Sequence, residues 1–142
     1  MDGIINFYSE NKFQLENQET YAEWINQVVL SEGRAVGELS YIFCDDVYLL
    51  ELNQKFLNHD TLTDILSFDD SVGNILSGDI FISTERVQEN AELFSVPFAL
   101  ELRRVMAHGV LHFCGYQDGS EEEAQEMRGK EEEKMKMFHV EQ

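Results

Sequence analysis

The chain is predicted to fold as α+β: a small mixed sheet of about four strands, about five helices packed on it, and one helix buried at the centre. Three observations predict it. Four short runs have strand character and are set off by turn or capping residues. Five longer stretches repeat apolar residues three and four apart. Strands and helices also follow one another irregularly, without a repeated strand–helix unit. The run from Leu100 to Phe113 keeps the apolar spacing of a buried helix, which makes it the central one.

Ile4 to Tyr8 reads as a first strand. Asn17 or Gln18 opens a helix through about Leu30, with Tyr21, Trp24, Ile25, Val28 and Val29 on one stripe and Gly33 as its stop. Trp24 shares that stripe, so it is expected in the core and not as a base-stacking platform. Val36 to Cys44 is a second strand, with Leu39, Tyr41 and Phe43 on one face. Asp45 caps a helix over Val47 to Leu57. A polar loop, N-H-D-T-L-T-D, then enters the strand Ile65 to Phe68. Asp69 to Leu76 reads as a loop, and Gly78 to Ser83 as a further strand. Ser83 caps a helix from Thr84 to about Leu93, and Ser95-Val96-Pro97 starts the central helix. Ser120 and Glu123 form a capping box for a last helix, whose E-E-E and K-E-E-E-K-M-K runs read as its charged outer face.

At 142 residues the chain suits a single domain spanning 1–142, with no repeat or linker. The N-terminus lacks a basic region followed by an apolar run, so no secretory signal is expected. No apolar stretch approaches the roughly 18 residues that span a bilayer. A cytoplasmic protein without a membrane partner, and a monomer, is the expectation. Cys44 and Cys114 lie in separate segments and read as buried thiols. The formal charge of −18 works against free association with nucleic acid, because affinity for a phosphate backbone comes largely from Lys and Arg. Residues 71–119 are the least acidic part, and Arg86, Arg103 and Arg104 fall there. A local positive patch on an otherwise acidic body is therefore expected.

The chemistry gathers between His108 and Asp118. His108 and His112 stand four apart on the central helix, so both imidazoles lie on one face and can reach one cation. The same pair would also suit a polar stripe, or a buried pair bonded to backbone carbonyls. Gly115 supplies the left-handed residue that ends such a helix, and the turn brings Asp118 back toward the histidines. Two imidazoles and a carboxylate suit Zn²⁺, and three protein ligands leave a position open, the form of a catalytic site. Gly109 stands where the zinc-peptidase pattern H-E-x-x-H places its base, which disfavours a peptidase. Cys114, two residues past His112, points away from it on a helix and is a poor fourth ligand.

Three blocks carry a further signal: N-Q-K-F-L-N-H-D-T-L-T-D-I-L-S-F from Asn53 to Phe68, S-G-D-I-F-I from Ser77 to Ile82, and H-G-V-L-H-F-C-G-Y-Q-D from His108 to Asp118. In this order they resemble the signatures of the YbeY endoribonucleases, also called rRNA maturation factors. The resemblance implies a similar fold and one zinc ion. It also implies a single-strand-specific endoribonuclease acting in rRNA processing, at the 3′ end of 16S rRNA, and in ribosome quality control. Ribosomal RNA would be the partner, with small-subunit proteins or an assembly GTPase beside it. Spacing alone supports only a metal-dependent hydrolase.

The chain departs from the family pattern at two positions. Asp118 stands where a third histidine is implied, which brings the metal centre nearer +1 and makes a harder ion such as Mn²⁺ more competitive. Leu57 stands where an arginine is implied, which removes a phosphate contact. Arg104, one turn before His108, is the candidate replacement, with a solvated surface arginine as the alternative. His59 is a candidate for the fourth metal position or a phosphate contact. The neighbouring Asp60 and Thr63 are expected to bond loop amides. Asp79 would orient a ligand histidine, or else be a plain exposed acid, and Ser67 falls in a block that the family keeps near its cleft. No side chain stands out as a general base, and water on the ion is expected to serve. The rival reading is a ribosome-assembly or binding factor whose metal is structural and whose nuclease activity is weak or absent. The charge of −18 and Leu57 favour that rival.

Overall fold

Strand β2, Ala35–Cys44, is buried on both faces over most of its length, and this decides the layering. Leu39, Tyr41 and Phe43 point to one side, while Ile42 and Cys44 point to the other. A sheet with two apolar faces needs cover on both. The computed structural model, which describes residues 3–57 and 63–138, supplies it. The other elements are β1 (Ile4–Ser9), α1 (Gln18–Ser31), α2 (Asp46–Leu57), β3 (Ile65–Asp69), β4 (Ile75–Ser83), α3 (Thr84–Phe94), α4 (Phe98–Phe113) and α5 (Glu121–Met135). The sheet order is β1-β2-β4-β3. β1, β2 and β4 run parallel, and β3 lies antiparallel to β4 at the edge. This is the mixed four-stranded α+β architecture expected, with five helices among the described residues.

One face carries the main core. Trp24, Ile25, Val28 and Val29 of α1 meet Leu102, Val105, Met106 and Val110 of α4 over Leu39, Tyr41, Ile80 and Ile82. Burying each such side chain stabilises the fold by about 1.5–3 kcal/mol. The smaller face is closed by α2, with Leu49 against Cys44 and Leu66 and with Phe68 and Phe81 beside them. The Tyr41 hydroxyl donates to the Met106 carbonyl at 3.0 Å, pinning α4 to the sheet. The Trp24 indole is 3 % exposed and donates to the Lys134 carbonyl at 2.8 Å, so it belongs to the core as expected. No helix among the described residues is long and apolar enough to cross a membrane.

The expected caps are present at three helices. Asp45 accepts from the Tyr48 amide, Ser83 from the Arg86 amide, and Ser120 with Glu123 forms a capping box. The largest difference is at β4, which begins at Ile75 and not at Gly78. Val72 and Ile75 exchange both backbone hydrogen bonds around Gly73-Asn74, with Gly73 at φ 59°. The segment expected as a loop is thus largely a two-residue hairpin. Gly78 sits inside the strand, where an added Cβ would stand 2.2 Å from the Phe68 carbonyl oxygen.

Candidate metal centre

Close helix–sheet contact places the two histidines. Gly109 faces the sheet, and a Cβ there would lie 2.9 Å from Ile65 Cδ1 and 3.0 Å from Ile80 Cγ2. A glutamate at this position would press a charged side chain onto Ile65 and Ile80, so packing as well as residue identity disfavours the peptidase pattern. With Gly109 against the sheet, His108 and His112 sit half-buried on a face of α4 that opens to a cleft. The helix then ends in two bonds, Gly115 N–H to the His112 carbonyl and Tyr116 N–H to the Leu111 carbonyl, with Gly115 at φ 104°. This termination reverses the chain. The Tyr116 hydroxyl donates to Glu32 at 2.7 Å and anchors the return, and Asp118 follows.

Three donor atoms converge. His108 Nε2 lies 3.0 Å from His112 Nε2 and 3.3 Å from Asp118 Oδ2, and His112 Nε2 lies 3.6 Å from the same oxygen. Ligands about 2.05 Å from one ion at tetrahedral angles are about 3.3 Å apart, so these separations fit one face of such a site. These three residues form a group that could hold a metal ion.

Behind His108 lies a buried ionic chain. His108 Nδ1 is 2.6 Å from Glu131 Oε2, and Glu131 is 3 % exposed. Its other oxygen accepts from Arg104 Nη1 at 3.1 Å. Arg104 also donates to both oxygens of Glu101, itself 3 % exposed, and lies 4.0 Å from Asp64. Hydrogen bonding to Glu101 pushes the Arg104 pKa further up, against the cost of its burial. Burial pushes the Asp64 carboxyl up, although Arg104 and His108 pull it down.

The sequence-predicted residues divide accordingly. His108, His112 and Asp118 come together. Ser67 lines the same cleft, but no hydrogen bond joins it to those three. Asp79 does not orient a histidine: Ile80 faces α4, so strand alternation turns Asp79 to the opposite face, where it is exposed. The alternative, a plain exposed acid, is what the strand produces. Arg104 is neither a free phosphate contact nor a solvated arginine, because two buried carboxylates hold it. Nor does the expected positive patch form. Arg86 pairs with Asp46 and Glu89, and Arg103 stacks 4.1 Å from the Phe138 ring centre. Thr63 donates to the Ile65 carbonyl at 3.3 Å. Leu57 is exposed at the end of α2. His59 and Asp60 lie outside the described residues. Burial pushes the Cys114 thiol up to about 11 and the Cys44 thiol up to about 12, which suits structural thiols.

The sequence reading missed Glu131 and Glu101. Glu131 sits in a charged run that reads as solvated surface, and Glu101 is a single acid between Leu100 and Leu102 of the central helix. The available signal was spacing, since Met127, Glu131 and Lys134 form the inner stripe of α5 at four- and three-residue steps. Among the described residues the cleft is lined by Asp64, Asp69 and Asp118 with Ser67 and Thr63, and by no Lys or Arg.

The chain is similar to known proteins over nearly its whole length. Residues 4–139 match the family profile described as Endoribonuclease YbeY. The Endoribonuclease YbeY of Flavobacterium johnsoniae is 56 % identical over 98 % of this chain and 100 % of its own length. That of Porphyromonas gingivalis is 42 % identical over 94 % of this chain and 89 % of its own. A Thermotoga maritima protein with a known solution structure superposes with a TM-score of 0.66 at 27 % identity, covering 94 % of this chain and 88 % of that one.

Proposed function

The chain belongs to the YbeY endoribonuclease family and is thus an RNA-cleaving hydrolase; on that premise we propose that it is a single-metal, single-strand-specific endoribonuclease of rRNA processing. Its tasks would be maturation of the 16S rRNA 3′ end and ribosome quality control, in the cytoplasm. Small-subunit proteins or an assembly GTPase would present the RNA to it. His108, His112 and Asp118 would hold one Zn²⁺, or Mn²⁺ given the carboxylate ligand. The observation that carries the reading is the convergence of three donor atoms within 3.0–3.6 Å of one another beside an open cleft.

A bound divalent ion supplies Lewis acidity toward a phosphoryl oxygen and a water that is nucleophilic at neutral pH. The remaining work falls to the chain. Ser83 N–H donates to the Asp64 carbonyl and Asp70 N–H to the Ser77 carbonyl, so residues 64, 66, 68 and 70 bond to β4. Alternation then turns the N–H groups of Ile65, Ser67 and Asp69 outward along the edge of β3 that pairs with no other strand among the described residues. Those amides and the Ser67 hydroxyl are neutral donors for a phosphate. They suit an acidic cleft that offers no guanidinium in the place of Leu57.

The acidic lining also favours the second reading, an assembly or binding factor with a structural metal. One experiment separates the two: cleavage of single-stranded and structured RNA by purified protein, with and without chelator, beside Asp118→Ala. Cleavage lost on both treatments is expected. Cleavage that survives both rules this site out as its source. Loss of melting temperature on chelation, with no RNA ever cut, establishes the structural-metal alternative.

A further inference from the structure

We propose that Glu131, clamped by Arg104, is the positioning residue of the metal centre: it holds His108 in the form that ligates through Nε2 and makes α5 a working part of the site. The inference rests on the metal-centre reading above and deepens it.

Geometry carries it. A carboxylate only accepts hydrogen bonds, so the 2.6 Å contact places the proton of a neutral His108 on Nδ1. The Nε2 lone pair is then left facing His112 and Asp118. Glu131 is held against swinging away, because its second oxygen accepts from Arg104 Nη1. Arg104 is itself held by Glu101, one turn earlier on α4. Each link is backed by the next, and the two carboxylates are each 3 % exposed. Glu101, Glu131 and Asp64 set three formal negative charges around one guanidinium, an excess that favours a divalent cation on the far side of the imidazole. Outer partners of this kind commonly change metal affinity 10- to 100-fold.

A purely structural strut is the competing role. It would tie α5 to α4 and leave the metal untouched. The decisive measurement is chelator-competition titration of metal-free protein with Zn²⁺, comparing the parent chain, Glu131→Ala, Glu131→Gln and His112→Ala. Glu131→Ala should bind Zn²⁺ about 10- to 100-fold more weakly. Glu131→Gln should lose less, since its amide oxygen still accepts from Nδ1–H. Nitrogen NMR of the metal-free parent should report His108 protonated at Nδ1, a preference that Glu131→Ala abolishes. If folded Glu131→Ala binds Zn²⁺ as tightly as the parent, the proposal is overturned while the metal centre stands. If the parent binds no Zn²⁺, the metal-centre reading fails and takes the proposal with it. Should Glu131→Ala not fold, hydrogen exchange of the parent decides. Zn²⁺ must then slow exchange in α5 around Glu131, and an unchanged α5 rejects the role.

Discussion

α4 and α5 lie side by side at the metal centre but are held by different forces. α4 buries Leu102, Val105, Met106, Ala107, Val110, Leu111 and Phe113, and Gly109 lets it press onto the sheet. α5 buries only Met127, Glu131 and Lys134. It docks through directional contacts: Glu131 to His108 and Arg104, Lys134 to Glu32 at 2.7 Å, and the Lys134 carbonyl to Trp24. Apolar burial fixes a helix firmly but does not orient an imidazole ring. A buried carboxylate does orient it, at the cost of needing a partner for every charge. The chain therefore carries two metal ligands on the helix that apolar contact holds and their orienting group on the helix that polar contact holds.

The contrast can be broken most severely at Gly109. Gly109→Glu restores the H-E-x-x-H pattern but drives a charge into Ile65 and Ile80, so a loss of more than about 4 kcal/mol in urea denaturation is expected. A stable Gly109→Glu protein would show that α4 is free to lift from the sheet. Lys134→Met removes the nearest cation from Glu32, which keeps Tyr116 and Lys130, and should cost about 2 kcal/mol. Adding Glu32→Leu should recover most of it, which a double-mutant cycle measures. If α5 docks mainly by apolar contact, Lys134→Met alone will be neutral or stabilising.

The smallest effect expected is that of pH. Burial raises the Glu32 carboxyl, but hydrogen bonds from Lys134 and Tyr116 outweigh it and the net shift is below 4.5. The hydrogen bond from Lys134 also lowers Glu133. Groups depressed in the folded state contribute stability above pH 4.5, and this is lost as pH falls through their folded values. Asp64, raised by burial, works in the opposite sense. Its contribution is full below 3.8 and is lost as pH rises through its folded value. Acidification below pH 4.5 should therefore loosen α5 before α4, seen as hydrogen exchange that accelerates first in α5, and Glu32→Gln should flatten that response.

Much of the fold was legible because its signals are local. The α1 stripe, the Asp45, Ser83 and Ser120 caps and the alternation in β2 each arise within about ten residues of chain. A glycine such as Gly78 reads as a strand boundary, whereas the hairpin at Gly73-Asn74 sets the start of β4 at Ile75. At the site, the chemistry of Asp79 suits a role beside a histidine, but its strand parity turns it to the other face. Neither the role of Arg104 nor a positive patch is legible in the chain, because an arginine's availability depends on which acids fold against it.

By itself, the sequence determined that His108 and His112 share a helix face and that the chain turns after Gly115 toward Asp118. Helical period and a left-handed glycine act over neighbouring residues, so the chain order suffices. Only the tertiary structure decided that His108 answers to Glu131, 23 residues further on, and that Arg104 serves the same carboxylate. No periodicity links those positions. Their meeting depends on how α5 docks across α4, and buried charges are satisfied only when every packed element is in place.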